Sequence, residues 1–151
     1  MLDINLPSAP INIITERGKR RIYDFLRRRY VALTPEEWVR QHFTHYMVSH
    51  LGYPPTRLAN EVTLSYNGMT KRCDTVLYDL QGLRPQMIVE YKAPHISITQ
   101  KTFDQIALYA GVLSVNYLIV SNGMQHYCLR FDTTTKRYLF IDTLPHYHEL
   151  I

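Results

Sequence analysis

The sequence predicts an α/β fold in which helices flank one central mixed β-sheet. Three observations predict it: a capped helical segment from about residue 35, strand-like runs around an Asn-Gly pair, and a second helical segment followed by three more strand-like runs. The predicted order is therefore helix, three strands, helix, three strands. At 151 residues the chain is long enough for a single domain, 1–151, that buries a core without a disulfide or a structural metal.

The first helix has a clear start and a clear end. Thr34 can cap it, Pro35 suits the first helical position, and Glu37 completes a capping box. Apolar residues then recur at helical spacing until Gly52, which two prolines follow closely. We therefore expect a helix over residues 35–51 that packs one face on other elements.

Three strands should follow this helix. Runs of strand-forming residues at 61–66 and 70–78 flank Asn67 and Gly68, which is the strongest short-range signal for a β-hairpin. After a turn, residues 86–92 contain a short apolar run of the kind found in buried central strands. The first two strands should be antiparallel neighbours, and the third should lie inside the sheet.

The second half of the chain predicts one more helix and three more strands. Residues 99–113 carry apolar side chains with few helix breakers. Residues 117–120, 127–131 and 138–141 then read as strands, with a turn at Asn122 and Gly123 after the first of them. This helix should cover the face of the sheet.

Composition excludes several classes of protein. No apolar run approaches the roughly 20 residues of a membrane helix, and the start of the chain lacks a secretion signal, so no membrane partner and a cytoplasmic location are expected. Cys73 and Cys128 stand alone in strand-like runs, which excludes a disulfide framework and a cysteine-based metal cluster. Residues 1–10 read as an extended or frayed lead in which no function is expected, and they are the one segment that looks dispensable.

Basic residues are concentrated near the start of the chain. The net charge is +4 and the isoelectric point about 9.1, but seven of the 17 basic residues lie within one short stretch that contains only one acid, Asp24. Two interpretations stay open: a solvated basic face, and a surface that contacts nucleic acid phosphates. The seven residues are Arg17, Lys19, Arg20, Arg21, Arg27, Arg28 and Arg29.

Asp74, Glu90 and Lys92 carry the clearest chemical signal. Residues i and i+2 of a strand point to the same side, so Glu90 and Lys92 are neighbours, and strand pairing could bring Asp74 beside them. Two carboxylates suit Mg²⁺, which polarises a phosphate and activates a water molecule, while a lysine can stabilise the charge that develops on the phosphate. The alternative is an ordinary ion pair on an exposed strand.

The spacing of these residues resembles the signature of the PD-(D/E)XK nucleases. The stretch that carries the resemblance is Lys71, Arg72, Cys73 and Asp74, then 15 residues, then Glu90, Tyr91, Lys92, Ala93 and Pro94. More narrowly, residues 30–125 resemble the N-terminal nuclease domain of type I restriction endonuclease R subunits. That resemblance extends to Gln105 and Tyr109 on the second helix, and to Ser121, Asn122 and Gly123.

The resemblance implies a restriction-endonuclease-like core and a Mg²⁺-dependent deoxyribonuclease, with Mn²⁺ as an alternative ion. It implies that Asp74 and Glu90 bind the metal, that Lys92 is the catalytic lysine, and that Gln105 and Tyr109 orient DNA or the metal site. The implied partners are DNA and either a second copy of the chain or subunits of a restriction-modification or other DNA-processing system.

Some features depart from that family or stay open. Cys73 stands where the family name implies proline, although no metal ligand is lost. An additional acid often joins such sites, and Glu37 and Glu61 are the candidates. The chain has no phosphate-cradling loop of a DNA translocase. Two alternatives therefore remain: a catalytically silent DNA- or protein-binding module of the same fold, and an isolated piece of a larger restriction complex.

Overall fold

The computed structural model describes residues 2–150, which form two β-sheets and two α-helices. The first sheet has three antiparallel strands in the order β1-β2-β3. They are β1 (Ile13–Glu16), β2 (Lys19–Asp24) and β3 (Arg29–Ala32). The sequence analysis did not predict these strands, because their short alternation lies within the basic run and the hairpin between β1 and β2 turns at Arg17 and Gly18, both with positive φ.

The second sheet has six strands and confirms the predicted order of helix, three strands, helix, three strands. All of its neighbouring strands are antiparallel except β6 and β7, which are parallel and joined by the crossover helix α2. The elements are α1 (Pro35–Ser49), β4 (Leu58–Tyr66), β5 (Met69–Tyr78), β6 (Pro85–Tyr91), α2 (Gln100–Val112), β7 (Tyr117–Ser121), β8 (His126–Asp132) and β9 (Arg137–Ile141), with single 3-10 turns at Pro55–Arg57 and Tyr147–Glu149.

The start of α1 differs in one respect from the prediction. Thr34 caps the helix, because its hydroxyl oxygen accepts from the backbone N–H of Glu37 at 3.0 Å. The predicted capping box is wrong, since the Glu37 carboxylate accepts instead from Arg27, Arg40 and Gln41. The physical reason is that two guanidinium groups are stronger partners for a carboxylate than a backbone N–H.

The core lies on both faces of the six-stranded sheet. Alternate residues of β6 point to opposite sides: Met87 and Val89 pack with α1, and Ile88 packs with α2. Cys73 and Cys128 are both buried. The helix residues in the two clusters are Val39, Phe43 and Met47 of α1, and Phe103, Ile106 and Ala110 of α2.

Among residues 2–10 the N-terminal lead contains no helix or strand, and it forms hydrogen bonds with the rest of the fold. The backbone N–H of Asn5 donates to the carbonyl oxygen of Gly123 at 2.6 Å, and His126 Nε2 lies 2.9 Å from the Asn5 carbonyl oxygen. Trp38 donates to the Leu2 carbonyl oxygen at 3.0 Å. The lead therefore packs on α1 and on the turn after β7; Met1 lies outside the described residues.

Between residues 2 and 150, no helix is both long and apolar enough to span a bilayer. The single-domain organisation over 1–151 stays a prediction from chain length. What the fold contributes to function is the position of β5 and β6, which are adjacent central strands with α1 behind one face and α2 behind the other.

Candidate active site

Asp74 and Glu90 lie side by side on neighbouring strands. In the β5–β6 ladder Thr75 pairs with Val89, and continuing this antiparallel register by one residue brings Asp74 opposite Glu90. The Asp74 carboxylate also accepts from the backbone N–H of Tyr91, with a distance of 2.8 Å to Oδ2. The end of β6 thus holds one carboxylate in place by a main-chain hydrogen bond and presents the second next to it.

Glu90 is a buried carboxyl group with an unsatisfied oxygen. Glu90 is only 8% exposed, and its Oε1 has no hydrogen-bond partner. Burial raises the pKa of Glu90 to about 8, and the negative charge of Asp74 and a hydrogen bond shared with it act in the same direction. A buried polar atom without a partner is costly, so this oxygen is suited to a cation.

Lys71 is the cation that approaches Glu90 in this structure. Its Nζ lies 3.6 Å from Glu90 Oε1 and 4.8 Å from the centre of the Tyr109 ring. Burial alone would lower the pKa of Lys71, but the charge of Glu90 holds that pKa above its ordinary value. The sequence analysis assigned no role to Lys71, because a residue three positions before Asp74 should point to the opposite side of a regular strand.

The strand is irregular at this point, which explains the position of Lys71. Cys73 and Val76 are three residues apart, yet both belong to the cluster packed on α2, so the alternation of β5 breaks between them. The neighbouring strand β4 is distorted at the same level. Glu61 lies opposite Asp74, between the pairs Asn60–Thr75 and Val62–Cys73, and has a φ of +57°. Such a conformation is rare for a residue other than glycine and is often found at functional sites.

Lys92 continues β6 beyond its last residue. Its backbone N–H donates to the carbonyl oxygen of Ser121 at 2.8 Å, which extends the pairing with β7. The side chain is half-buried, and its positive charge lowers the pKa of Glu90, though less than Lys71 does. The structure therefore brings Lys92 to the same group of charges as Asp74 and Glu90.

The two predicted residues of α2 differ in their surroundings. The Tyr109 ring is half-buried beneath the ammonium group of Lys71 and is thereby part of the site. Gln105 lies one turn earlier on the same side of the helix, and its side chain is exposed. Gln105 is thus placed where a bound molecule could reach it from solvent.

The two accessory candidates, Glu37 and Glu61, are held by arginines. Glu37 accepts from Arg27 and Arg40 at 2.9 to 3.0 Å, and Glu61 accepts from Arg40 at 2.6 Å and from Arg72. Arg40 is itself buried and also donates to the Asp74 carbonyl oxygen at 2.7 Å. These contacts give Glu37 and Glu61 a role behind the strands, where they orient the arginine that touches Asp74.

A buried chain of hydrogen bonds connects the small sheet with the site. Asn60 donates to Asp24 at 2.9 Å, Thr75 donates to Asn60 at 2.6 Å, and Tyr91 donates to Thr75 at 2.9 Å. Burial would raise the pKa of Asp24, but hydrogen bonds from Asn60 and Arg27 hold it below its ordinary value. The strand β2 is therefore fixed to the residues that flank Asp74 and Glu90.

The seven predicted basic residues fall into two groups. Arg27 is bound to Asp24 and Glu37, and Arg21 lies 3.6 Å from Glu16, so these two have carboxylate partners within the fold. Arg17 and Arg28 sit at hairpin turns with positive φ. The exposed members are Arg17, Lys19, Arg20, Arg28 and Arg29.

The donor set fits a Mg²⁺ site of two carboxylates. Among residues 2–150, no group of three or more His, Cys, Asp and Glu side chains converges as a ready-made metal cage. Mg²⁺ does not require such a cage, since it usually takes one or two carboxylates and completes its shell with water and phosphate oxygens. Asp74 and the unsatisfied Oε1 of Glu90 supply that number of ligands.

The chain is similar to known proteins in sequence and in fold. Residues 35–145 match the family described as type I restriction enzyme R protein N terminus. A fragment described as an HsdR subunit of a type I restriction enzyme from Vibrio vulnificus YJ016 is 23% identical with a TM-score of 0.55; the match covers 78% of this chain and 24% of that one, so this chain spans about a quarter of its length. No curated protein gives a significant match.

A second solved structure is more distant. A protein described as a nuclease of DUF820 from Anabaena variabilis ATCC 29413 is 12% identical with a TM-score of 0.49, and the match covers 91% of this chain and 80% of that one. The predicted mixed sheet with flanking helices is confirmed as a restriction-endonuclease-like fold. The chain belongs to the family of type I restriction enzyme R protein N-terminal domains.

Proposed function

We propose that this protein is a Mg²⁺-dependent endonuclease that hydrolyses phosphodiester bonds of DNA within a restriction system. The observation that carries the proposal is the Asp74–Glu90 pair, in which one buried carboxylate oxygen lacks a hydrogen-bond partner while two lysines lie close by. Membership of the family supports a nuclease-like domain with DNA as its substrate. Action on DNA inside the cell implies a cytoplasmic location.

In this proposal Asp74 and Glu90 hold the ion. A bound Mg²⁺ would polarise the phosphate and lower the pKa of an attacking water molecule. The chain contributes by keeping its ligands fixed: Tyr91 N–H orients the Asp74 carboxylate, and Arg40 holds the Asp74 main chain from behind. Mn²⁺ would serve in the same site because it accepts the same oxygen ligands.

Lys92 would supply charge where the transition state needs it. Its backbone is tied to β7 through Ser121, so the ammonium group projects from a fixed point beside Glu90. An ammonium aimed at the phosphate stabilises the charge that develops on its oxygens. Gln105 on the exposed side of α2 would orient the DNA near the same place.

The exposed basic residues of the small sheet would bind the DNA backbone away from the reacting bond. Phosphate contacts of this kind position DNA without reading its sequence. Arg27 is excluded from this role because Asp24 and Glu37 engage it inside the fold. The proposed contacts are Arg17, Lys19, Arg20, Arg28 and Arg29.

The test is cleavage of supercoiled plasmid by the wild type and by Lys92→Ala, with Mg²⁺, Mn²⁺ or EDTA. We expect nicked or linear product with either metal and none with EDTA, and a loss of activity of about a hundredfold or more in Lys92→Ala. Lys136→Ala is the matched control, since Lys136 is an exposed lysine in the turn between β8 and β9. The proposal fails if neither metal supports cutting, or if Lys92→Ala cuts as fast as the control.

A second candidate is a component that works only within a larger restriction assembly. It is favoured by the observation that the chain spans about a quarter of the similar Vibrio vulnificus fragment. Calorimetric titration with Mg²⁺ separates this candidate from a catalytically silent module. A component should bind Mg²⁺ through Asp74 and Glu90 yet cut slowly alone, whereas a silent module should bind no Mg²⁺. The homodimeric state stays a prediction.

A further inference from the structure

We propose that Lys71 is the residue that binds a DNA phosphate beside the metal, by exchanging its contact with Glu90 for a contact with that phosphate. This inference rests on the proposed nuclease function. It gives a role to Lys71, to which neither the motif spacing nor the resemblance assigns one. Three observations carry it: the loose contact of Lys71 with Glu90, its contact with the Tyr109 ring, and the break in the alternation of β5 between Cys73 and Val76.

The Lys71 ammonium is near Glu90 but is not tied to it. At 3.6 Å, the distance from Nζ to Oε1 exceeds that of a hydrogen bond, and Oε1 remains without a donor. The side chain of Lys71 keeps a quarter of its surface exposed, so the ammonium can reach solvent as well as the carboxylate. Lys71 therefore balances the charge of Glu90 without occupying its ligand position.

Tyr109 gives the ammonium a second support that does not depend on Glu90. The ammonium lies 4.8 Å from the centre of the ring, within the range of an attractive cation–π contact. This contact is retained when the charge of Glu90 is neutralised, because the ring belongs to α2 and not to the carboxylate pair. Tyr109 thus keeps Lys71 at the site in both situations.

The backbone distortion that admits Lys71 is held from several directions. The left-handed Glu61 is bound through its carboxylate to Arg40 and Arg72, one from α1 and one from β5 itself. A residue other than glycine is strained in this conformation, which persists only where its surroundings fix it. A regular strand would have pointed Lys71 away from Glu90.

Charge balance decides what Lys71 does once the site is loaded. With a divalent ion held by Asp74 and Glu90, both carboxylates would be ionised and their charge offset, so the attraction that keeps the Lys71 ammonium by Glu90 would weaken and the ammonium would be repelled. The remaining anion would be a DNA phosphate at the same site, and the flexible side chain of Lys71 would turn toward it while staying beside Tyr109. Lys92 follows Glu90 by two residues and lowers its pKa, so the two lysines would hold the phosphate from two sides.

The experiment measures DNA binding with Ca²⁺ in place of Mg²⁺, by fluorescence anisotropy on a short duplex over a series of salt concentrations. The full chain is used as wild type, Lys71→Met, Lys71→Arg and Lys136→Met. Each phosphate neutralised contributes about 0.9 to the slope of log K against log salt. We expect Lys71→Met to lower that slope by about this amount, and Lys71→Arg and Lys136→Met to keep it.

Cleavage kinetics provide a second readout. Lys71→Met should raise KM for DNA more than it lowers kcat, while Lys92→Ala should lower kcat. The inference is overturned if Lys71→Met has the wild-type slope and the wild-type KM, since Lys71 would then be only a counter-ion of Glu90. If the wild type neither binds DNA with Ca²⁺ nor cuts plasmid with Mg²⁺, the proposed function itself fails, and the Lys71 inference with it.

Discussion

Arg40 donates from Nη1 to the carbonyl oxygen of Asp74 across 2.7 Å, so a buried guanidinium of α1 fixes the main chain of the site from behind. The same group binds the carboxylates of Glu37 and Glu61 and lies 5.9 Å from the centre of the Tyr91 ring. Its position requires α1, β4, β5 and β6 to be assembled together. Stability and site geometry are therefore coupled through this one side chain.

Arg40→Met should destabilise the fold strongly. The substitution leaves Glu37 with one guanidinium partner fewer and removes the donor to Asp74, and breaking a buried ion pair from one side costs about 3 to 5 kcal/mol. Urea unfolding of the variant measures the loss in free energy of unfolding. Arg137→Met, at an exposed arginine of β9, is the control and should cost far less. Equal losses in the two variants would contradict the central role of Arg40.

Glu90→Gln should stabilise the metal-free protein at alkaline pH. The folded pKa of Glu90 is raised to about 8 from an ordinary value of 4.5, so the folded state binds the proton more tightly than the unfolded state. The contribution of Glu90 to the free energy of unfolding is therefore fully present below pH 4.5 and is lost as the pH rises through about 8. Glutamine resembles the protonated form of Glu90, so the variant should not lose this stability at alkaline pH. Urea unfolding at about pH 6 and about pH 9 compares the two proteins, and a parallel pH dependence would refute the assignment.

Gly123→Ala tests the contact between the N-terminal lead and the turn after β7. An added Cβ would lie 2.8 Å from Ile4 Cγ2 and 3.1 Å from Val39 Cγ2, and the residue has a φ of +84°. Gly68→Ala is the matched control, because Gly68 has a φ of +77° and nothing within 4 Å of the added atom. Both variants pay about 1 to 2 kcal/mol for the backbone conformation. Thermal unfolding should show a larger loss for Gly123→Ala, and equal losses would mean that the lead does not pack there.

His126→Gln should reduce the loss of stability in mild acid. Burial lowers the pKa of His126 below 6.5, so its contribution to stability is present above 6.5 and is lost as the pH falls through the folded pKa. The ring lies between Ser121 Oγ at 2.7 Å and the Asn5 carbonyl oxygen at 2.9 Å. Because Glu90 acts in the opposite direction, the measured quantity is the difference between wild type and variant across about pH 7 to 5. His95→Gln, at an exposed histidine, should follow the wild type.

Local signals explain what the sequence could predict. Thr34 and Pro35 mark the start of α1, and the pair Asn67 and Gly68 marks the β4–β5 hairpin, because capping and tight turns depend on residues only a few positions apart. The approach of Asp74 to Glu90 followed from strand pairing alone. These features needed no knowledge of distant partners.

The features that escaped prediction depend on contacts far apart in the chain. Lys71 reaches Glu90 because the alternation of β5 breaks between Cys73 and Val76, and no residue pattern around these positions indicates that break. Arg40 donates to Asp74, which lies 34 residues further along the chain. The strands β1 to β3 were not predicted, because a run of basic residues indicates a solvated surface even where its side chains alternate across a small sheet.

The chain of hydrogen bonds from Asp24 to Tyr91 determines how far the cooperative folding unit reaches. The family match begins at residue 35, whereas Asp24 and Arg27, which satisfy the buried Asn60 and Glu37, precede it. A polypeptide trimmed to the matched segment would leave an amide and a carboxylate buried without these partners. Such a truncated form should populate partly unfolded states, so the domain boundary for expression lies upstream of the family boundary.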